Sequence, residues 1–322
     1  MYSRYKIKTV IIGLGNIGMN YDLNKNNTIL SHCKSVVKSK YFELVGAIDN
    51  NKKKRDKFRR LYKKKVFSNA QELIKNKIAF DLVIISTNTN SHLDIVRSLS
   101  RQKFEFCILE KPGGLDFIQF KEILKILKNK KTKVLINYFR NYLKEYEILK
   151  NSIKKNSTSY FFYSRGLLNN CSHLLSFCLK NFGDFNYFKI LKTTNLKFEN
   201  KDPSFFVKFK YRNFYFFNIG LKNCGQNKLL AFDSNKMLES KNSFNSFYLN
   251  YAQKSNLIQD TYDFTEKYSN NIININKNSQ LHTLEYMYKI FKSKKLYEDY
   301  YKINYKTYEL IDKIQKKNEK NN

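Results

Sequence analysis

The chain is poor in residues that interrupt regular structure. It has two prolines, ten glycines, no tryptophan and five cysteines among 322 residues. The cysteines are odd in number and scattered without paired metal-ligand spacing, which predicts a reducing compartment and no metal site. No apolar run approaches the roughly 20 residues of a membrane span. Strand pattern begins as early as Ile7, so we expect a cytoplasmic protein with no signal peptide and no membrane partner.

Acidic residues are also scarce: 27 Asp and Glu stand against 60 Lys and Arg, for a formal net charge of +33. Such a balance raises the question of nucleic-acid binding. The lysines, however, are spread along the whole chain, and the clusters at 52–55 and 63–65 flank a predicted helix as solvated faces would. We therefore predict no specific nucleic-acid partner. The same positive field would attract an anionic small substrate.

The first third of the chain alternates strand and helix patterns. A chain of 322 residues exceeds the usual size of one hydrophobic core, so two domains are expected. The strand patterns here are continuous apolar runs, as in strands covered on both faces. Strands are predicted at 8–12, 42–49, 66–67, 80–86 and 104–109, with helices at 31–39, 52–62, 70–75, 90–100 and 116–129. This order predicts an α/β fold whose N-terminal domain, 1–132, is a Rossmann doubly wound parallel sheet.

The rest of the chain predicts a second, α+β domain over 133–315, followed by a frayed tail at 316–322. The run at 205–211 alternates apolar and polar residues, which suits an antiparallel sheet with one covered face. Arg212 and Asn213 form the turn of a predicted hairpin. Strands are predicted at 134–136, 158–164, 185–193, 205–211 and 214–219, and helices at 142–154, 170–179 and 280–291.

A glycine-rich turn follows the first predicted strand. Gly13, Gly15 and Gly18 have the spacing of a dinucleotide-binding turn, in which the first glycine permits the tight turn and the second lets the backbone approach a pyrophosphate. The third allows a helix to pack closely, with its N-terminus facing the phosphates. The spacing alone is weak evidence, but its position after a buried strand strengthens it.

Asp49 ends the second predicted strand, where a carboxylate would bind the ribose hydroxyl of the cofactor. Its distance from the glycines exceeds the usual roughly 20 residues, because residues 21–28 form an inserted polar loop. A carboxylate here favours NAD, since it repels the extra phosphate of NADP. The basic residues 52–55 keep NADP open as an alternative.

Lys111 is the first catalytic candidate. It lies in the segment Glu110 to Gly114, which follows the apolar run 104–109 and contains Pro112, one of only two prolines. A lysine on a rigid turn at a strand end can hold its ammonium at one point, and partial desolvation lowers its pKa. The alternative interpretation is that proline and glycine here merely end a strand.

Six segments together form an ordered set: 13–18 (GLGNIG), Asp49, 86–92 (STNTNSH), 110–112 (EKP), 137–140 (NYFR) and 165–173 (RGLLNNCSH). This set resembles the Gfo/Idh/MocA oxidoreductases, the family of glucose-fructose oxidoreductase and inositol dehydrogenase. The resemblance implies a Rossmann domain followed by an α+β domain built on a large open, mostly antiparallel sheet. It also implies that cofactor and substrate meet between the two domains.

The resemblance implies roles for the matching residues. Lys111 corresponds to the lysine that binds the reacting oxygen near the nicotinamide, and Glu110 to its cofactor-contacting neighbour, so both are also expected to bind the cofactor. His173 corresponds to the general acid or base, a task that suits a pKa near neutrality. The further positions expected to bind the cofactor are Gly13, Gly15, Asn16, Ile17, Gly18, Asp49, Thr87, His92, Asn137 and Arg140.

The sequence departs from the family pattern on the segment that carries His173. Asn169 occupies the place of a usual aspartate, and Ser176 replaces a second one. An amide can orient a substrate but cannot transfer protons, so acid–base work would rest on His173 and Lys111, with Asn169 as a substrate-holding member of the site. The substitutions also leave open a non-catalytic member that binds NAD(P) and a sugar and regulates or scaffolds a partner.

The sequence as a whole predicts an NAD(P)-dependent oxidoreductase acting on a hydroxyl or keto carbon of a sugar or nucleotide sugar. The substrate class follows from the resemblance to sugar-modifying branches and from the positive charge, and it suggests surface polysaccharide biosynthesis. The expected cofactor is NAD, with NADP as the alternative. We also expect a homodimer or homotetramer formed through the C-terminal sheet, whose aromatic outer face would need a partner.

Overall fold

The structure, a computed structural model, describes residues 6–152, 158–191, 202–220, 227–233, 235–259, 261–272 and 275–321. The chain divides into two compact units. The first comprises Met1–Tyr142 and Lys277–Tyr305, and the second comprises Leu143–Asn276 and Lys306–Asn322.

The first unit contains a six-stranded sheet in the order β3-β2-β1-β4-β5-β6, in which every neighbouring pair is parallel. This confirms the predicted doubly wound sheet. The strands are β1 Ile7–Ile12, β2 Phe42–Ile48, β3 Lys65–Phe67, β4 Leu82–Ile85, β5 Phe106–Leu109 and β6 Lys133–Ile136. Strand β6 corresponds to the predicted strand 134–136, which the sequence analysis assigned to the second domain.

Helices follow the strands of this sheet in turn. They are α1 His32–Lys38, α2 Lys52–Tyr62, α3 Ala70–Lys75, α4 His92–Ser98 and α5 Phe117–Asn129. The side chains of Asn51, Asn69 and Asp116 accept hydrogen bonds from the backbone N–H groups three residues later, which explains where α2, α3 and α5 begin. The strands are buried on both faces, as their continuous apolar runs require.

The second unit contains an eight-stranded sheet in the order β14-β13-β12-β11-β7-β10-β9-β8. Its only parallel pair among the described residues is β7 with β10, so the sheet is mostly antiparallel, as predicted. The strands are β7 Thr158–Tyr163, β8 Phe185–Ile190, β9 Phe205–Phe209, β10 Asn213–Asn218, β11 Lys228–Asp233, β12 Lys236–Lys241, β13 Ser246–Lys254 and β14 Tyr262–Ile272. Strands β11 to β14 had no sequence prediction, and residues 192–193 of the predicted strand 185–193 lie outside the described residues.

Four helices complete the described fold: α6 Glu147–Ser152, α7 Ser172–Phe182, α8 Ser279–Lys292 and α9 Lys294–Asn321. Helix α8 lies in the first unit, beyond the predicted boundary at 132, because its buried residues Leu284, Met287 and Ile290 join the same core as Ile11 and the other strand residues of the parallel sheet. Residues 316–321 of the predicted frayed tail are helical, as the end of α9. In the described part of the chain, no helix has the combination of length and apolar character that a membrane crossing needs.

Candidate active site

A cavity of about 510 Å³ opens at the carboxyl ends of β1, β2 and β4 in the first unit. Loops at this edge of a parallel sheet are where open α/β folds bind ligands. Four of the predicted cofactor residues line it: Gly13, Gly15, Asp49 and Thr87. Its remaining lining is largely polar and includes Lys54, Ser68, Asn69, Asn88 and Ser91.

The glycine turn leaves space where the sequence predicts a pyrophosphate. Gly13 has a φ of +95°, and a Cβ there would lie 2.8 Å from the carbonyl of Ser86. A Cβ on Gly18 would lie 2.1 Å from the carbonyl oxygen of Gly13, so these two glycines are required for packing. A Cβ on Gly15 would meet no described atom within 4 Å. Gly15 therefore faces open space in the cavity, as close approach of a phosphate requires.

The helix expected after this turn is short. Residues Asn16–Asn20, which include the predicted Asn16 and Ile17, form one turn of π-helix, and α1 begins only at His32. The interruption is fixed by Asp22, whose carboxylate accepts hydrogen bonds from the N–H groups of Leu30 and Ser31 at 2.6 and 2.9 Å. The predicted inserted loop is thus present, and the helix dipole contributes less to phosphate binding than a long helix would.

Asp49 lies just after β2 and is 7% exposed. Its carboxylate accepts hydrogen bonds from the N–H groups of Leu14 at 2.7 Å and Asn51 at 2.8 Å. The ammonium of Lys54 lies 3.7 Å from the same carboxylate. Asp49 thus ties β2 to the glycine turn and lines the cavity where a carboxylate is expected for the ribose end of a dinucleotide. The neighbouring Lys54 keeps NADP open as an alternative.

Thr87 and His92 follow β4, and Ser86 stands before them. The Ser86 hydroxyl donates to the carbonyl oxygen of Gly13 at 2.8 Å, which supports the glycine turn from below. His92 is fully buried, with its Nε2 atom 3.2 Å from the carbonyl oxygen of Thr87. Burial lowers the pKa of His92, against opposing contributions from backbone groups of Thr87 and Gly113. His92 is not among the residues that line the cavity.

Glu110 directly follows β5 and is a buried carboxylate, 8% exposed. Its Oε1 atom accepts a hydrogen bond from the amide of Asn137 at 2.5 Å and lies 2.7 Å from His32 Nε2. Its Oε2 atom accepts from the backbone N–H of Lys111 at 3.2 Å. Burial raises the pKa of Glu110, but the hydrogen bond and charge of His32, with Asn137 and Lys111, outweigh it and hold that pKa below its usual value.

Lys111 follows at the carboxyl end of β5, beside β4, and is partly buried. Asn137, after β6, is 2% exposed and donates from the same amide nitrogen to Gln280 at 3.1 Å. The guanidinium of Arg140 lies 4.7 Å from the ring centroid of Phe139. Glu110, Lys111, Asn137 and Arg140 are not among the residues lining the 510 Å³ cavity. Their predicted contacts with the cofactor stay predictions.

The predicted acid–base residue belongs to the second unit. His173 is the second residue of α7 and is 2% exposed. A five-residue turn of π-helix, Leu167–Cys171, precedes it and carries Asn169, whose side chain is exposed. Asp202 accepts a hydrogen bond from the N–H of Leu167 at 2.8 Å and so anchors this turn. Convergence of His173 with Lys111 in one cavity stays a prediction.

The sequence analysis named Ser86 and Lys54 only as members of the segments 86–92 and 52–55, and it missed Asn69, Gln280 and Asp202. Asn69 could have been found as a polar residue just beyond the short strand β3. Gln280 and Asp202 carried no local signal, because each meets its partner across more than thirty residues.

The fold and cavity define a dinucleotide-binding protein. The parallel sheet places a glycine turn, an open face at Gly15 and a carboxylate after β2 around one polar cavity, and these residues fit a dinucleotide. The sequence model of the oxidoreductase family with an NAD-binding Rossmann fold, Gfo/Idh/MocA, matches residues 7–138. Residues 7–138 thus match the NAD-binding Rossmann part of the Gfo/Idh/MocA oxidoreductases, which confirms the predicted resemblance and the predicted cofactor.

Solved structures share the fold across both units. A dehydrogenase from Chromobacterium violaceum has a TM-score of 0.71 at 10% identity, covering 97% of this chain and 95% of that chain. UDP-N-acetylglucosamine 3-dehydrogenase GnnA from Acidithiobacillus ferrooxidans has a TM-score of 0.68 at 11% identity, covering 95% and 96%. The WlbA dehydrogenase from Chromobacterium violaceum, in complex with NADH and UDP-GlcNAcA, has a TM-score of 0.59 at 14% identity, covering 83% and 80%. No curated protein sequence matches the chain.

Proposed function

We propose that this protein transfers hydride between NAD(P) and a hydroxyl or keto carbon of a nucleotide sugar. The observation that carries the proposal is the position of Lys111. Its turn follows β5, which pairs with β4, and the residues at the carboxyl end of β4 line the cavity of about 510 Å³. The substrate class is supported by two fold relatives, one named as a UDP-N-acetylglucosamine dehydrogenase and one solved with NADH and UDP-GlcNAcA.

The residues divide the reaction between them. The nicotinamide, when bound, supplies or accepts the hydride. In the oxidation direction, His173 accepts the proton of the reacting hydroxyl, and the Lys111 ammonium stabilises the negative charge that develops on the oxygen. Asn169 holds the substrate through hydrogen bonds of its side-chain amide, which has donors and an acceptor but no proton to transfer near neutral pH.

The charge of the chain favours a diphosphate-bearing substrate. At a formal net charge of +33, the protein attracts anions from solution and raises their local concentration and association rate. A nucleotide sugar carries such charges, whereas a free sugar does not. We therefore also propose a cytoplasmic role in surface polysaccharide biosynthesis, where activated sugars are consumed.

We further propose that the outer face of the second sheet joins two copies of the chain. Tyr160, Phe162, Tyr215 and Phe217 are half-buried on this face, and their rings stack, with the centroids of Tyr160 and Tyr215 5.4 Å apart. An exposed aromatic surface of this extent on a soluble chain favours an interface, and a C2 pairing of identical sheets is the simplest closed form.

The proposed function is tested by following reduced-nicotinamide absorbance with NAD⁺ or NADP⁺ and a panel of UDP-sugars. The matched variants are Lys111→Ala and Lys103→Ala, because Lys103 is an exposed lysine just before β5. We expect Lys111→Ala to lower kcat by at least about 10²-fold while leaving the cofactor Kd nearly unchanged, and Lys103→Ala to behave as wild type. Turnover retained in Lys111→Ala would refute the assignment.

The second candidate function is a non-catalytic sensor that binds NAD(P) and a sugar nucleotide. The observation that favours it is the pair Asn169 and Ser176, which lack the carboxylates usual at these places. This candidate predicts that calorimetry detects binding of both ligands while no UDP-sugar changes the nicotinamide absorbance.

A further inference from the structure

The Glu110 carboxylate joins four parts of the first unit that are distant in sequence. His32 comes from the start of α1, Asn137 follows β6, and Gln280 belongs to α8. His32 and Asn137 contact one oxygen of the carboxylate, and the N–H of Lys111 donates to the other. Gln280 accepts from Asn137 and so fixes which way that amide points.

Further hydrogen bonds fix the positions of the groups that contact the Glu110 carboxylate. His32 opens α1, whose cap Ser31 donates its hydroxyl to Asp22 at 2.6 Å, so the inserted loop fixes the position of the histidine. The amide nitrogen of Asn137 lies between two oxygens, of Glu110 and Gln280. The opposite amide orientation would place an oxygen between them, which electrostatic repulsion disfavours.

Burying a charge costs desolvation free energy, which its contacts must offset before it can stabilise a fold. Replacing a buried ion pair by well-packed apolar residues is often neutral or stabilising, so the pair itself is weak evidence for a role in stability. Here the carboxylate belongs to the residue directly before Lys111 and binds that lysine's own backbone N–H. The network therefore fixes the backbone of the turn that carries Lys111, and the proposed reaction depends on the geometry of this turn.

We propose that His32 and Gln280 are positioning residues for Lys111, which they hold through the Glu110 carboxylate and the Asn137 amide. The inference rests on the proposed function, because it assigns the lysine turn a catalytic task. Loss of His32 or Gln280 leaves the turn free to shift, and a displacement of about 1 Å at a reacting group costs up to roughly 10²-fold in rate.

The test compares His32→Ala with His32→Gln, since a glutamine amide nitrogen can donate to the carboxylate as the imidazole does. We expect His32→Ala to lower kcat about 10- to 100-fold, with the cofactor Kd nearly unchanged, and His32→Gln to recover most of the loss. Gln280→Leu should lower kcat in the same way. His282→Ala, an exposed histidine on the same helix α8, is the control and should match wild type.

A spectroscopic readout separates this inference from the proposed function. Glu followed by Lys occurs at 110–111, 266–267 and 319–320, so carbonyl-labelled Glu with amide-labelled Lys leaves three selected amide resonances, and Lys111→Arg identifies the one that belongs to Lys111. We expect this amide proton to move upfield in His32→Ala and to return in His32→Gln, because its hydrogen bond to a fixed carboxylate is lost and regained. This holds even if no UDP-sugar is turned over, in which case only the proposed function fails. An unshifted Lys111 amide, or kcat that falls in His32→Ala without recovery in His32→Gln, overturns the inference.

Discussion

The two sheets of this protein bury their strands in different ways. The parallel sheet of the first unit is covered on both faces, so its interior strands β4 and β5 contain only buried residues. The sheet of the second unit buries one face, with Phe161, Phe214 and Phe216 fully enclosed, and leaves their neighbours on the opposite face half-exposed. In the first unit, ligand binding is therefore confined to the carboxyl edge of the sheet. In the second unit, a broad sheet face is available for contact with another chain.

The two units also carry different parts of the proposed chemistry. The first unit holds the dinucleotide cavity and the Lys111 turn, and the second holds His173 on α7. If the proposal is right, changes in the second unit should alter the chemical step without altering cofactor binding, and changes at the glycine turn should do the reverse.

The largest effect is expected from His173→Gln. Loss of a general acid or base costs about 10²- to 10⁴-fold in kcat, whereas the cofactor Kd should stay within about threefold, because the cavity residues are unchanged. Stopped-flow absorbance and nicotinamide fluorescence titration measure the two quantities. Because His173 is buried in the second unit, far-ultraviolet circular dichroism and urea denaturation of the variant serve as the control for folding. Equal losses in both quantities would contradict the division between the units.

The difference in burial also explains what the sequence could predict. Strands β1, β2, β4 and β5 are apolar runs that report their own burial, and each was predicted to within a few residues of its bounds. The glycine spacing and Asp49 placed the cavity for the same reason: both are read locally, at the ends of those strands.

The rest depended on contacts that no local pattern encodes. Strands β12 and β13, with the sequences KMLESK and SFYLNYAQK, show neither strict alternation nor a continuous apolar run, so only pairing with their neighbours identifies them. Helix α8 carries an ordinary helical pattern, and only its packing in the Rossmann core assigns it to the first unit. The His32–Glu110 contact spans 78 residues of sequence, so no local pattern could predict it, and the expected contact of Glu110 with the cofactor stays a prediction.

The glycine turn offers a matched pair of variants. Gly13→Ala forces a side chain into a backbone with φ of +95° and against Ser86, which should cost at least about 1–2 kcal/mol of folding free energy. Gly15→Ala meets no protein atom, so stability should hardly change while NAD affinity falls about tenfold, or 1.4 kcal/mol. Denaturant titration and calorimetry measure these quantities. Tight NAD binding by Gly15→Ala would show that the phosphates lie elsewhere.

The second sheet is tested through its outer face. Tyr215→Glu places a charge among stacked rings and should convert a dimer to a monomer, with little effect on the fold because the side chain is half-exposed. Sedimentation velocity gives the mass, against 38.6 kDa for one chain. Ile118→Glu, at a site 71% exposed on α5 of the first unit, is the control. A wild-type protein that sediments as one chain at all concentrations removes the proposed interface.

The smallest effect concerns Lys180, on α7 in the second unit. Burial lowers its pKa from 10.5 to about 8, with Glu147 opposing this and Lys150 adding to it. The unfolded chain therefore binds more protons than the folded chain between about pH 8 and 10.5. Below about pH 8, Lys180 lowers the free energy of unfolding by its full amount, and this loss decreases as the pH rises through that range.

Lys180→Met should remove that cost, raising the free energy of unfolding at pH 7 by about 1–3 kcal/mol and flattening its rise between pH 8 and 10.5. Urea denaturation across this range measures both. Lys144→Met, at an exposed lysine just before α6 that is not among the groups acting on Lys180, is the matched control and should leave the slope with pH in place. If both variants keep the wild-type slope, the Lys180 side chain is solvated in solution. Helix α7 then packs less tightly in the second unit than the helices of the first unit pack on the parallel sheet.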